Sequence, residues 1–263
     1  MSIFHYTSIK SLALILESKK IRFTRLDSQD DLKEIEGLPE NLKSYFFISC
    51  WTEDSEENLS LWSMYTQMKG IRIEFPKEFY LKYTHKEGDY GNWGYTKETT
   101  CPLSIDEIRT DNYLISNPFW LEDGFYTKVV YDINYKEFKK NAVSHKENKI
   151  IITHAKNLIR YKSPIWKFQN ESRFYIIAKP LPDLNLYNGD RNAQMLDIGS
   201  YDIVNETQYI DVNISNEVID NIIVRVHPNC DFADRLLIES LLYKYTNNGK
   251  LELSNLNDNY RTR

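Results

Sequence analysis

Glycine is scarce in this chain: there are nine in 263 residues, and none fall in a GxGxxG pattern or a Walker-type loop. Phosphate cradles lined by backbone need glycine where the chain closes on its ligand, so the sequence speaks against a Rossmann or P-loop nucleotide site. Cysteine is also sparse. Cys50, Cys101 and Cys230 are odd in number and widely spaced, with no CxxC and no Cys/His cluster. Neither a disulfide framework nor a zinc or other metal site is indicated, and the compartment expected is a reducing one. Long apolar runs are missing too. Nothing approaches the ~20 residues needed to span a bilayer, and the N-terminal MSIFHYTSIK lacks a basic region followed by an apolar stretch. The expectation is a soluble cytoplasmic protein with no membrane partner.

Aromatic residues are plentiful, with nineteen Tyr, twelve Phe and five Trp. They supply core material, and they leave open a nucleotide held by stacking and side-chain hydrogen bonds. The net charge of −5 gives the whole molecule no reason to adhere to nucleic acid or an anionic membrane. The charge is unevenly spread, however: residues 136–162 hold eight basic side chains against two acidic ones. A solvated helix face explains this run, with contact to a polyanion such as nucleic acid as the other reading.

The pattern of elements predicts an α+β fold in a single domain spanning residues 1–263. Strands are expected at Ile3–Tyr6, Ile21–Arg25, Tyr45–Trp51, Ile71–Phe75, Val129–Tyr135 and Glu171–Ala178, then in TQYIDV, NIIVRV and LELSNL. Helices are expected after a Thr7 or Ser8 cap, over Leu59–Gln67, across most of Glu137–Tyr161, and after an Asp231 cap. That last helix would turn Phe232, Leu236, Leu237 and Leu241 to one side. Residues 84–125, with four of the nine glycines, read as an irregular insertion.

Three stretches carry candidate chemistry. In WKFQNESRFYII, strand alternation puts Glu171, Arg173 and Tyr175 on one face, with Gln169 two residues ahead of the acid. An exposed cross-face ion pair would account for the same residues. His5-Tyr6-Thr7-Ser8 sets an imidazole and a phenol at a strand end, immediately before a helix N-terminus that favours an anion. Capping and a core histidine are the plain explanation. In Ser60-Leu61-Trp62-Ser63-Met64-Tyr65, helical spacing brings Trp62 and Tyr65 together, either in the core or around a planar cationic ring.

HYTS (5–8), QDDLKE (29–34), ISCWTE (48–53), LWSMY (61–65) and WKFQNESR (166–173) together resemble a large, poorly characterised bacterial family, and IIVRVHP resembles its C-terminal part. More distantly, the order of elements resembles the ADP-ribosyltransferase superfamily, which includes DNA-modifying toxins and the poly(ADP-ribose) polymerases. That resemblance implies a split, mixed β-sheet with flanking helices. It also implies NAD as substrate, and a toxin or anti-phage role against a macromolecular acceptor, protein or nucleic acid.

The resemblance further implies roles for particular residues. Glu171, His5 and Tyr65 would be catalytic, with His5 also holding the adenosine-side ribose or pyrophosphate. Tyr6 would contact the ligand, Thr7 or Ser60 would bond the nicotinamide end, and Trp62 with Tyr65 would stack on the nicotinamide ring. Arg173 and Arg22 would contact phosphates. The superfamily's usual glutamate two residues before the last is Gln169 here, which would orient the acceptor. Breaking the nicotinamide–ribose bond passes through an oxocarbenium-like state that a nearby carboxylate stabilises. Two other readings are a non-catalytic nucleotide- or partner-binding module on the same fold, and a nucleic-acid-binding protein using residues 136–162.

Overall fold

Strands form where β-branched and aromatic residues run together, and most of the expected ones are present. They include β1 (Ser2–Thr7), β2 (Lys20–Arg25), β3 (Phe46–Thr52) and β4 (Ile71–Pro76). The structure is a computed structural model that describes residues 1–86, 88, 98–116, 125–146, 149–199 and 203–256. It is an α+β fold built on a mixed ten-stranded sheet with several flanking helices. Among the described residues, no helix is long and apolar enough to cross a membrane.

Strand β3 is the axis of the sheet. One edge pairs antiparallel with the long strand Glu171–Pro180, from Thr52 opposite Glu171 to Phe46 opposite Ile177. The other edge is shared. Strand β2 pairs with Phe47 and Ile48, whereas β1 meets β3 only at Phe4 opposite Thr52. Among the described residues no strand lies beside Ser49, Cys50 and Trp51 on that edge, and the sheet splits there. On one side β1 continues into β4, Ile223–Val226 and Lys250–Glu252; on the other, β2 continues into Tyr209–Asn213.

Both faces of the sheet are covered. Phe174, Ile176 and Ala178 join the main core with Leu12, Leu16, Trp51, Phe75 and Phe79, while Tyr175 and Ile177 enter a second core with Leu42, Phe46, Leu158 and Ile159. The alternation expected along Glu171–Ala178 therefore holds, and the polar members of its second face are buried as well. Ser8 caps the first helix, Ile9–Ser18, by accepting from Ser11 N at 3.0 Å.

Four expectations need correction, the first being Val129–Tyr135, of which only Val130–Tyr131 is strand while Tyr135 opens a helix. Residues 137–161 are not mostly helix: helices Tyr135–Lys140 and Ala155–Arg160 flank the ribbon Val143–Lys146 with Lys149–Ile152. The Ile150–Ile152 run is β-branched and pairs as a strand, overriding the helix-compatible lysines around it. In the helix Phe232–Tyr245 the inward residues are Ile238 and Leu242, while Phe232, Leu236 and Leu237 are exposed. In the 84–125 stretch, residues 98–116 hold a capped turn of helix, Ile105–Ile108, and short strands Thr99–Cys101 and Tyr113–Ile115. The rest, apart from 84–86, 88 and 125, lies outside the described residues.

Gly70 fixes how the helix Leu59–Thr66 returns to the sheet. A Cβ there would stand 2.2 Å from the Thr7 carbonyl oxygen and 2.6 Å from Thr66 Cβ. A Gly70→Ala chain is expected to lose about 1–3 kcal/mol or more, because backbone must shift to admit the methyl, and urea denaturation reads the loss.

Candidate functional site

The split in the sheet leaves a cavity of about 310 Å³, walled by parts of β1, β2 and β3 and reached by the helix Leu59–Thr66 and the start of the long strand. His5, Tyr65 and the Gln169/Glu171 pair, three segments far apart in sequence, all line it, as do Tyr6 and Thr7. This is the size range of small-molecule sites.

His5 sits where β1 leaves β3. Its Nδ1 lies 2.9 Å from the Cys50 carbonyl oxygen, so the side chain supplies the partner that the missing strand pairing withholds. A carbonyl only accepts, so Nδ1 carries the proton. Burial pushes the imidazole below its ordinary pKa, against the pull of the Cys50 carbonyl. A neutral ring with a protonated Nδ1 has a bare Nε2, an acceptor for a ligand hydroxyl. Trp51 packs against the ring at 5.0 Å.

Glu171 opens the long strand and is buried, as is Gln169; Asn170 between them takes φ +41° to make the turn. The Glu171 carboxylate accepts from Arg173 Nε at 2.6 Å, Lys162 Nζ at 3.0 Å and Arg173 Nη2 at 3.2 Å. Burial raises its pKa, but Arg173 and Lys162 outweigh burial and hold the carboxyl below the usual range. Oε1 takes only the Arg173 Nε bond among these and keeps a lone pair to offer.

Tyr65 accepts from Gln169 Nε2 at 2.5 Å. Burial, with the nearby Cys50 and Glu171, pushes its phenol well above its ordinary range, so it stays protonated. Cys50 also lines the cavity, yet burial and Glu171 push its thiol far up, which makes it a poor nucleophile.

Other expected residues lie elsewhere or are already engaged. Trp62 is fully buried, donates Nε1 to Glu57 at 3.1 Å and packs edge-on against Tyr6 and His227, so it is core and cannot stack on a ligand. Tyr6 reaches the cavity but its oxygen accepts from Asn58 N, at the cap of the Tyr65 helix. Ser60 is exposed on the first turn of that helix and does not line the cavity. Arg22 does line it, but is bidentate to Asp211 at 2.9 and 3.0 Å.

Arg173 is not free for a phosphate. Its guanidinium is buried and bonds both oxygens of Glu34, both of Glu171 and the Ile159 carbonyl, which occupies all five donors. Gln169 is likewise engaged at both ends, its Oε1 accepting from Lys162 Nζ at 2.9 Å.

Glu34, Lys139 and Lys162 complete this buried network. Glu34 was visible only as a member of QDDLKE, and the two lysines were hidden within the basic run. The Arg173, Lys139 and Lys162 charges outweigh burial and lower Glu34 to about 2. The network also weakens the polyanion reading of residues 136–162, because Lys139 and Lys162 point inward and Lys136 pairs with Glu36 at 2.5 Å.

Burial lowers Lys139 to about 8, with Glu34 pulling the other way. An unfolded lysine titrates near ~10.4, so between about pH 8 and 10 the unfolded chain holds more protons and stability should rise with pH. Urea midpoints measured near pH 7.5 and near pH 9.5 should show that rise in the wild type and its loss in Lys139→Met.

A scan against protein-family models, a search of curated proteins and a search of solved structures each found no match to this chain.

Proposed function

We propose that this chain is an ADP-ribosyltransferase-like enzyme that consumes NAD, passing ADP-ribose to a macromolecular acceptor or to water. The observation that carries this reading is that His5, Tyr65 and Glu171 line one cavity at the split of the sheet. The bare Nε2 of His5 would accept a ribose hydroxyl, and the spare lone pair on Glu171 Oε1 would accept another. The bond between ribose C1′ and the nicotinamide nitrogen breaks, and its electron pair leaves with nicotinamide. The acceptor or water then bonds to C1′ and releases its proton to solvent. A carboxylate held ionised by two cations is a weak base, so the part assigned to Glu171 is electrostatic stabilisation of the oxocarbenium-like state.

A non-catalytic nucleotide-binding module is the second reading, favoured by the three donors already bonded to Glu171. Incubation with NAD, with cell lysates supplied as acceptors and nicotinamide detected by mass, separates the two. The enzyme reading expects release by the wild type and its loss in Glu171→Gln. Equal release from both would overturn it.

A further inference from the structure

Lys162 does not line the cavity, yet it touches two residues that do. Its backbone is pinned in the short parallel pairing of Tyr161–Lys162 with Val130–Tyr131, where Asp132 N donates to the Lys162 carbonyl at 3.1 Å. Its side chain is buried, and the ammonium donates to Gln169 Oε1 at 2.9 Å and Glu171 Oε2 at 3.0 Å, with the Trp166 ring centroid at 4.8 Å. Glu34 Oε2 stands 3.9 Å away.

Donor and acceptor rules turn this contact into a direction. An ammonium has no acceptor, so only the amide oxygen of Gln169 can face it. The amide nitrogen must then face Tyr65, and the Tyr65 oxygen must accept. The phenol proton is thereby left for a group in the cavity. The same ammonium holds Glu171 Oε2 beside Arg173 Nη2, whereas Oε1 takes one donor, Arg173 Nε. Buried ion clusters seldom stabilise a fold more than apolar packing of the same volume would. Fixing the polarity of three cavity groups is a return that packing cannot supply.

We propose that Lys162 is a positioning residue, setting the Gln169 amide, the free proton of Tyr65 and the ionised, fixed carboxylate of Glu171 through one ammonium. The role in turnover rests on the reading of the cavity as an NAD site; the role in setting the groups does not. Among the described residues, the charged groups around Glu171 are Arg173 on its own strand, Glu34 on the connection between β2 and β3, and Lys162. The phenol of Tyr131 and the thiol of Cys50 also face it.

The test therefore has two arms. In protein carrying 13C-labelled glutamate carboxyls, with no ligand added, the Glu171 signal should titrate at least about one pH unit higher in Lys162→Met than in the wild type. Lys162→Arg should keep it low. Should the methionine variant not fold, Lys162→Gln, which keeps a donor but no charge, is read the same way. An unchanged Glu171 titration in the neutral variant would overturn the proposal, whatever NAD does.

In the second arm, with NAD as the probe, kcat for nicotinamide release should fall at least about tenfold in Lys162→Met while KM stays within about threefold, with part of the rate restored by Lys162→Arg. A rise in KM alone would also overturn the positioning role. If the wild type releases no nicotinamide, the enzyme reading fails and the carboxyl titration still decides the role of Lys162.

Discussion

Replacing Arg173 by methionine is expected to cost about 3–5 kcal/mol, a large part of the 5–15 kcal/mol that holds an ordinary domain together. The guanidinium is shared between two buried carboxylates, and removing it leaves Glu34 and Glu171 facing each other with only Lys139 and Lys162 to answer them. Lysine is no substitute, because a point charge cannot bond both oxygens of two carboxylates and a carbonyl at once.

The pH dependence should change sign with the mutation. In the wild type Glu34 is held near 2, below its unfolded value, so its stabilisation is present above about pH 4.5 and is lost as pH falls toward 2. In Arg173→Met the largest opposing charge is gone and burial dominates, which raises the carboxyl pKa values above their unfolded ones. That variant should be more stable near pH 4.5 than near pH 7, a window in which the wild-type contribution of Glu34 is nearly flat and below which it falls. Urea midpoints near pH 3, 4.5 and 7 measure both slopes. Adding Glu34→Gln to the variant should recover part of the loss, and a purely additive result would show that the two residues do not share one network.

The second large effect is on turnover. Glu171→Gln keeps the shape of the side chain and removes the charge nearest the ribose in the proposed reaction. Loss of one such electrostatic stabiliser typically costs about 10²–10³-fold in kcat, and a drop of that order in nicotinamide release is expected. The amide also leaves Arg173 and Lys162 short of one counter-charge, so the rate must be compared at equal folded fraction, with circular dichroism as the control. Exposed Leu186, changed to serine, should leave the rate unaltered. A loss confined to KM would assign Glu171 to binding alone.

The sequence makes much of this architecture legible, for local reasons. Strands such as Ile71–Pro76 and Glu171–Pro180 announce themselves by β-branched and aromatic runs, and the helices at Ile9 and Phe232 by Ser8 and Asp231 caps. His5, Tyr65 and Glu171 are marked out by the resemblance of their segments to known motifs, since position alone reads them equally well as core, cap or ion pair. What stayed hidden is pairing over distance. Arg173 and Glu34 are 139 positions apart, and nothing in either segment says that a guanidinium meant for solvent or phosphate is fully spent inside. The same holds for Lys139 and Lys162, whose charge reads as exposure until a buried carboxylate is placed beside them. Trp62 failed for the opposite reason: helical spacing puts it near Tyr65, but spacing alone cannot say which of the two turns toward the core.

The three positions of β3 left without a neighbouring strand have a kinetic consequence. Loops that fold over a ligand must be ordered on each binding event, and that ordering slows association and weakens affinity. Here much of the wall comes from strands already paired in a sheet, and His5 closes the seam at Cys50. A ligand entering this cavity meets a surface whose shape is set at folding, so encounter rather than rearrangement should govern how fast it binds.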